Sequence, residues 1–351
     1  MKVCHVDIVE IKESLRMGVL KDYLIPRIAT YVFVIFIGIS ICFFVPRLTG
    51  VDPVLAVINR LSAYGQYYDP DALSQLVDSM EELYGLKGSL LDQYVGFLKR
   101  AFLGDFGPSL SHFPTPAVSI MNRALPWTIS LLLISTVISW LVGNLIGGIA
   151  GYFSERTWAK TLGVFATVVY PTPYYIMALL LIMLLAYVIP IFPSYGAIAI
   201  GTNPSISLEF LLNYIYYATL PALSLIIVGY GWWFLSMRSL VAHTKSDDYV
   251  QFGEMTGLPR RKLLLKYVIR NSLLPQVTGI SVALAGIFSG AMITEVIFSY
   301  PGIGYILYES VINGDFNLMM AIVTYSIIAT ATAILVLDLV YPLIDPRIRY
   351  R

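Results

Sequence analysis

Histidine, cysteine and charge are all scarce in this sequence. The three histidines, His5, His112 and His243, fall outside every long apolar stretch. A Ser–His hydrolase acting within a bilayer would therefore lack its base, and no lysine sits mid-stretch to form a Ser–Lys pair. The two cysteines, Cys4 and Cys42, give neither a disulfide framework nor a Cys/His metal spacing. H-E-x-x-H is absent, so no metal site is expected. Charged residues make up 13% of the chain, where a soluble domain carries about 25%. That deficit points to lipid rather than to one very large core. The net charge of +1 leaves no basic field for nucleic acid. No phosphate loop is present, so the chain itself is not expected to hydrolyse ATP or to carry a cofactor. The first 27 residues hold no apolar core of a leader, so no cleaved signal peptide is expected ahead of the first span.

What is abundant is long apolar sequence. A spanning helix needs about 20 mainly apolar residues to cross a hydrocarbon core of ~30 Å. Stretches free of Asp, Glu, Lys and Arg predict six spans, at about 28–45, 128–150, 161–189, 216–237, 275–297 and 318–341. Strict alternation, the mark of a β-barrel, is missing. The fold class predicted is an all-α membrane protein. Its parts are a cytoplasmic extension (1–26), span 1 (27–45), an extracytoplasmic segment (46–127), a core of spans 2–6 (128–341) containing a loop at 238–275, and a short tail (342–351). Within the extension, Ile8, Ile11, Leu15 and Val19 have helical spacing and suggest an interfacial helix. A second helix is expected around Asp71–Tyr84.

Orientation follows from the distribution of cations. With the N-terminus inside, 17 of the 23 Lys and Arg residues lie in inner segments, and the outer loops after spans 3 and 5 have none. Both termini are therefore expected in the cytoplasm.

Several short matches have bland readings. Gly104-Asp105-Phe106-Gly107 contains the kinase triplet but reads as a turn, since no strand lysine accompanies it. Gly302-Ile303-Gly304 lacks the βαβ context of a dinucleotide fingerprint. Val228-Gly229-Tyr230-Gly231 echoes a potassium filter, yet it lies mid-span, where small residues let helices approach closely. Gly143, Gly147, Gly148 and Gly151 in span 2 fit either close packing or a mobile bundle. Pro171 and Pro173 break span 3.

The inner segment from Ser246 to Lys262 reads as helix, glycine turn, helix. Asp247 and Asp248 favour a helix start, Gly257 a helix end, and Pro259 the first turn of the next helix. The product is a short helix projecting from the membrane, suited to docking in a partner's cleft.

That segment resembles the coupling loop of binding-protein-dependent ABC importer permeases, whose pattern is Glu-Ala-Ala, three residues, Gly, then a later Leu-Pro. Gly257 takes the glycine position, followed by Leu274-Pro275. The longer spacing and the Asp-Tyr-Val start are similar to the oligopeptide/dipeptide (and nickel) branch. Gln251 stands where the glutamate would be, and Phe252 and Gly253 replace the alanines. Further matches in order are Gly50-Val51-Asp52-Pro53, Leu83-Tyr84-Gly85-Leu86, Gly104 to Leu110, Leu220-Pro221-Ala222-Leu223, Glu295-Val296-Ile297-Phe298, Tyr300 to Gly304 and Asp345 to Tyr350.

The resemblance implies a type I ABC importer fold and a five-part machine in the inner membrane. A solute-binding protein would deliver substrate outside, and a second homologous permease would complete the pathway. Two ATPase subunits would hold the ATP and Mg and dock on this chain. The residues it assigns to coupling are Asp248, Tyr249, Gln251, Gly253, Glu254, Gly257, Leu258, Pro259, Arg260 and Arg261. Arg260, Arg261 and Lys262 would meet the partner or anionic lipid, or serve topology alone. Glu295 could face the pathway and contact a peptide amine, or make a structural hydrogen bond. Asp338 could hold Arg347 or Arg349, cap a packing site, or touch substrate. Short peptides are the expected cargo, with oligosaccharides the alternative. An ion channel or a secondary transporter would be the readings from a different class.

Overall fold

The computed structural model describes residues 24–48, 70–83, 85–205 and 207–344, and no β-strand occurs among them. Helix α1 is Ile25–Leu48. After it come α2 (Pro70–Leu83) and α3 (Leu90–Phe102). The core follows with α4 (Ala117–Tyr152), α5 (Thr157–Val169) and α6 (Tyr174–Ile182), the last prolonged by a wider turn to Val188. Then come α7 (Leu208–Lys245), α8 (Asp248–Met255) and α9 (Arg260–Ser289). The chain closes with α10 (Met292–Ile297), α11 (Ile303–Ile312) and α12 (Phe316–Ile344). Among the described residues α1, α4, α7, α9 and α12 are long and apolar enough to cross a bilayer, and the bent pair α5–α6 adds a sixth if it counts as one broken span.

Side-chain size decides how these helices pair. Helices α4 and α7 run parallel with their backbones in near contact. A Cβ on Gly147 would sit 2.6 Å from the Phe234 carbonyl oxygen, and one on Gly151 2.9 Å from that of Arg238. In lipid no hydrophobic force separates helix–helix from helix–lipid contact, so close packing of this kind is what joins two spans. The glycines of span 2 thus serve packing. So does the filter-like string: Gly231 lies mid-helix in α7 against the Tyr170 backbone. Helices α1 and α12 are antiparallel. Arg27 bonds Asp338 at one end, Tyr31 bonds Thr332 over 3.0 Å, and Cys42 meets Thr324 farther along.

Several helix bounds differ from those read in the sequence. Charge-free stretches mark where lipid must lie, whereas a helix can continue past it into water. Accordingly α4 begins at Ala117 rather than near 128, and α7 covers Leu208–Lys245. The 238–275 loop is mostly helix, because α7 runs to Lys245 and α9 starts at Arg260. Span 5 does not continue to 297. Gly290, with φ +77, breaks it after Ser289, and α10 follows as a separate short helix. Span 3 is sharply broken: α5 and α6 meet at 103° across Pro171 and Pro173.

Three readings lie outside the described residues: the Ile8–Val19 interfacial helix, the Gly50–Pro53 motif and the Asp345–Tyr350 ending.

Candidate functional site

Two features stand out, a projecting helix at one end of the bundle and a cavity in its middle.

The projecting helix is α8. Asp247 precedes it, and Gln251 Nε2 donates back to the Ser246 carbonyl over 3.0 Å. Its far end is closed by Gly257 at φ +76, a conformation a Cβ disfavours. The Gly257 amide donates to the Glu254 carbonyl and the Leu258 amide to that of Gly253, over 3.0 and 3.1 Å. These are the paired bonds of a Schellman cap. Pro259 then opens α9, so the turn is tight and rigid.

The inward face of α8 is pinned to the bundle. Val250 is fully buried with Leu263, Val268, Met237 and Val241. Gly253 lies so close to α9 that a Cβ there would come within 2.7 Å of Leu263 Cδ2. Tyr249 accepts a 2.8 Å hydrogen bond from Asn271, and Ser272 bonds Thr244 over 3.0 Å. α8 is thereby fixed to both α7 and α9.

Its outward face is apolar where water would favour polar groups. Phe252 is 67% exposed and Met255 83% exposed, with half-exposed Tyr249 one turn before. Gln251, Glu254, Arg260 and Arg261 are exposed around them. The sequence reading expected a helix end at Gly257 and a new first turn at Pro259, and both stand there; it treated Phe252 as a mere replacement and passed over Met255. The three-residue spacing of Tyr249, Phe252 and Met255 was the available signal.

The cavity, about 1370 Å³, lies between α4, the α5–α6 break, α7, α9 and the Gly290 turn. Tyr170, Tyr174, Trp232 and Trp233 give it aromatic walls, and Ser135 and Ser139 supply hydroxyls. No Asp, Glu, Lys, Arg or His lines it. Sequence reasoning named Pro171, Pro173, Val228 and Gly229 for other reasons but none of the aromatic or hydroxyl groups of the wall, since these come from separated segments.

Neither acid singled out in the sequence faces that cavity. Glu295 is fully buried. One carboxylate oxygen accepts from Thr128 over 2.8 Å and the other from the Tyr305 amide over 3.1 Å. Gly302 and Gly304 leave room for it, as a Cβ on either would crowd its carboxylate. Asp338 bonds Arg27 over 2.8 Å, while Arg347 and Arg349 lie outside the described residues. Among the described residues no group of three or more His, Cys, Asp or Glu could hold a metal.

A third acid served the sequence reading only as the edge of the last charge-free stretch. Buried Asp315 accepts from the Ser109 hydroxyl, from the Ser111 amide over 2.9 Å and from the Leu318 amide over 3.1 Å. It caps α12 and ties down the Gly104–Leu110 turn.

Residues 143–350 match the family model described as "Binding-protein-dependent transport system inner membrane component". Curated relatives align over nearly the whole chain. The oligopeptide transport system permease protein AppB of Bacillus subtilis (strain 168) is 26% identical, over 87% of this chain and 96% of that protein. The dipeptide transport system permease protein DppB of Lactococcus lactis subsp. cremoris (strain MG1363) is 25% identical, over 93% and 99%. The oligopeptide transport system permease protein OppB of Haemophilus influenzae is 26% identical, over 90% and 95%.

Proposed function

This chain belongs to the binding-protein-dependent transport system inner membrane component family, and on that premise we propose that it forms half of an import pathway for short peptides. It is a multi-pass permease subunit of an ABC importer. The cargo is taken from the printed names of its relatives. The charge-free cavity agrees with a carrier of varied peptides, because a wall without ions holds no fixed charge that would select cargo side chains by sign.

In this reading both termini are cytoplasmic and α8 lies on the inner side. A second, homologous permease closes the pathway across from the cavity. Two ATPase subunits bind ATP and Mg and receive α8 of each permease in a surface cleft, with Tyr249, Phe252 and Met255 entering it. A binding protein delivers substrate outside. Closure of the ATPases displaces α8. The rigid Gly257–Pro259 turn and the Val250–Leu263 packing carry that displacement into α7 and α9, which form the cavity wall.

The observation that carries the reading is the Schellman-closed α8, with a buried inner face and an apolar outer one. The test is uptake by the reconstituted complex, measured together with its ATP hydrolysis. Gly257→Val forces a branched residue into positive φ and should separate the two, leaving hydrolysis but lowering uptake. Full uptake by that variant would remove the coupling role of α8. Competition by di- and oligopeptides, and none by oligosaccharides, would identify the cargo.

A further inference from the structure

We infer that α3 is a phospholipid-binding helix, seated at the membrane boundary on the side away from α8. The inference rests only on α1 crossing the bilayer.

Helix α3 has two apolar faces and uses one of them on the protein. Tyr94, Phe97 and Ala101 pack on Ile39, Cys42 and Phe43 of α1. Leu98 joins that packing at its edge, while Leu91, Val95 and Phe102, four and seven residues apart, form a second stripe roughly 100° around the helix. Leu91 is 71% exposed and Phe102 89%, and the next residue, Leu103, is 82% exposed. Asp92, Gln93, Gly96, Lys99 and Arg100 complete the circumference as a polar arc. A wide apolar arc beside a cationic polar one is the pattern of a helix lying in a membrane interface.

Depth decides between lipid and water. The Tyr94 and Ser40 hydroxyls bond over 2.6 Å. The Phe43 and Phe97 rings lie 5.4 Å apart. Arg47, the cation that closes α1's charge-free stretch, donates to Gln93 over 3.3 Å. Phe43 lies one helical turn before Arg47 and Ser40 about two, roughly 6 and 10 Å down the axis at ~1.5 Å per residue. An interfacial helix rests ~5–10 Å into the boundary between headgroups and acyl chains. Water is not the neighbour at that depth. The stripe is also continuous with α1's exposed face, because the Phe44 and Tyr94 rings lie 5.2 Å apart and Val45 and Leu48 are open beside them. Lys99, exposed on the polar arc, can extend toward the headgroups.

The chemistry recognised is that of a phospholipid: acyl chains against Leu91, Val95 and Phe102, with phosphates near Lys99. The experiment places a spin label at Leu91→Cys, Val95→Cys or Phe102→Cys in the full chain, with Cys4 replaced by serine and buried Cys42 kept. The host is a phosphatidylcholine/phosphatidylglycerol nanodisc. Collision with oxygen is compared with collision with a water-soluble nickel chelate. Lipid contact predicts oxygen-dominated relaxation at all three sites, at a depth of about 5–10 Å below the phosphates, and chelate-dominated relaxation at Lys99→Cys. Chelate-dominated relaxation at Leu91 and Phe102 would overturn the inference. So would immobile labels shielded from both reagents, which would mean that a protein partner covers the stripe. If one label disturbs the helix, the other two still report. No nucleotide, ATPase or substrate is needed, so failure here leaves the importer reading standing, and failure of that reading leaves α3 in the interface.

Discussion

Thr128 on α4 donates its hydroxyl to the Glu295 carboxylate over 2.8 Å, with both side chains fully buried. The same hydroxyl accepts from the Ile303 amide over 2.7 Å. One hydroxyl and one carboxylate thus hold the α10–α11 corner against α4 at an edge of the cavity. Thr128→Val keeps the shape but leaves a buried amide and a carboxylate oxygen short of a partner, a cost of about 1–3 kcal/mol for each. Thermal unfolding should show a clear loss for that variant, with Thr128→Ser near the parent. Equal unfolding of all three would mean the bond is dispensable.

Helix contact between α4 and α7 should be sensitive to a single methyl. Gly147→Ala brings a Cβ to 2.6 Å from a backbone oxygen, and overpacking of this kind costs about 1–3 kcal/mol. Gly96→Ala on α3 meets nothing within 4 Å and should gain about 0.5–1 kcal/mol from helix propensity. Chemical denaturation in detergent compares the two, and opposite signs are expected.

Phe252 and Met255 should matter to docking and not to folding. Exposed side chains without other duties change stability by less than about 0.5 kcal/mol. An anchor buried on docking costs more than about 1 kcal/mol when truncated. Phe252→Ala and Met255→Ala should therefore unfold with the parent yet lose ATPase affinity by roughly tenfold, equivalent to ~1.4 kcal/mol. Pull-down with a titrated ATPase measures this, and unchanged affinity would exclude these side chains from the contact.

The start of α3 should respond to acid. The Ser89 hydroxyl and amide donate to Asp92 and hold its carboxyl below the ordinary carboxylate range. A carboxyl lowered on folding stabilises above its unfolded value, and that support is lost as pH falls through the folded one. The first turn of α3 should thus stay ordered at neutral pH and fray only in acid below the usual carboxylate range. Amide exchange at Asp92 and Gln93 reads this out. Asp92→Asn should remove the step.

Much of the α8 segment was legible because its signals are local. Gly257, Pro259 and the paired Asp247–Asp248 each act within a few residues of themselves, and the turn forms where they stand. The breaks at Pro171 and Pro173 were visible for the same reason. Gly290 was not, because one glycine within an uncharged run does not reveal its φ. Asp315 was also hidden. Its partners Ser109 and Ser111 lie some 200 residues away in the chain.

Sequence alone determined that this is an all-α membrane protein, and it marked the six apolar stretches that become five long helices and one bent pair. The hydrophobic effect acts on each segment separately, and about 20 uncharged residues suffice to place it in lipid. Only the tertiary structure decided which groups face the cavity, that Glu295 turns inward onto Thr128, and that α3 leaves half its apolar arc uncovered. Those outcomes depend on which helices touch and at what height, and inside a bilayer that choice is made by shape and hydrogen bonding rather than by hydrophobicity, which is nearly uniform along every span.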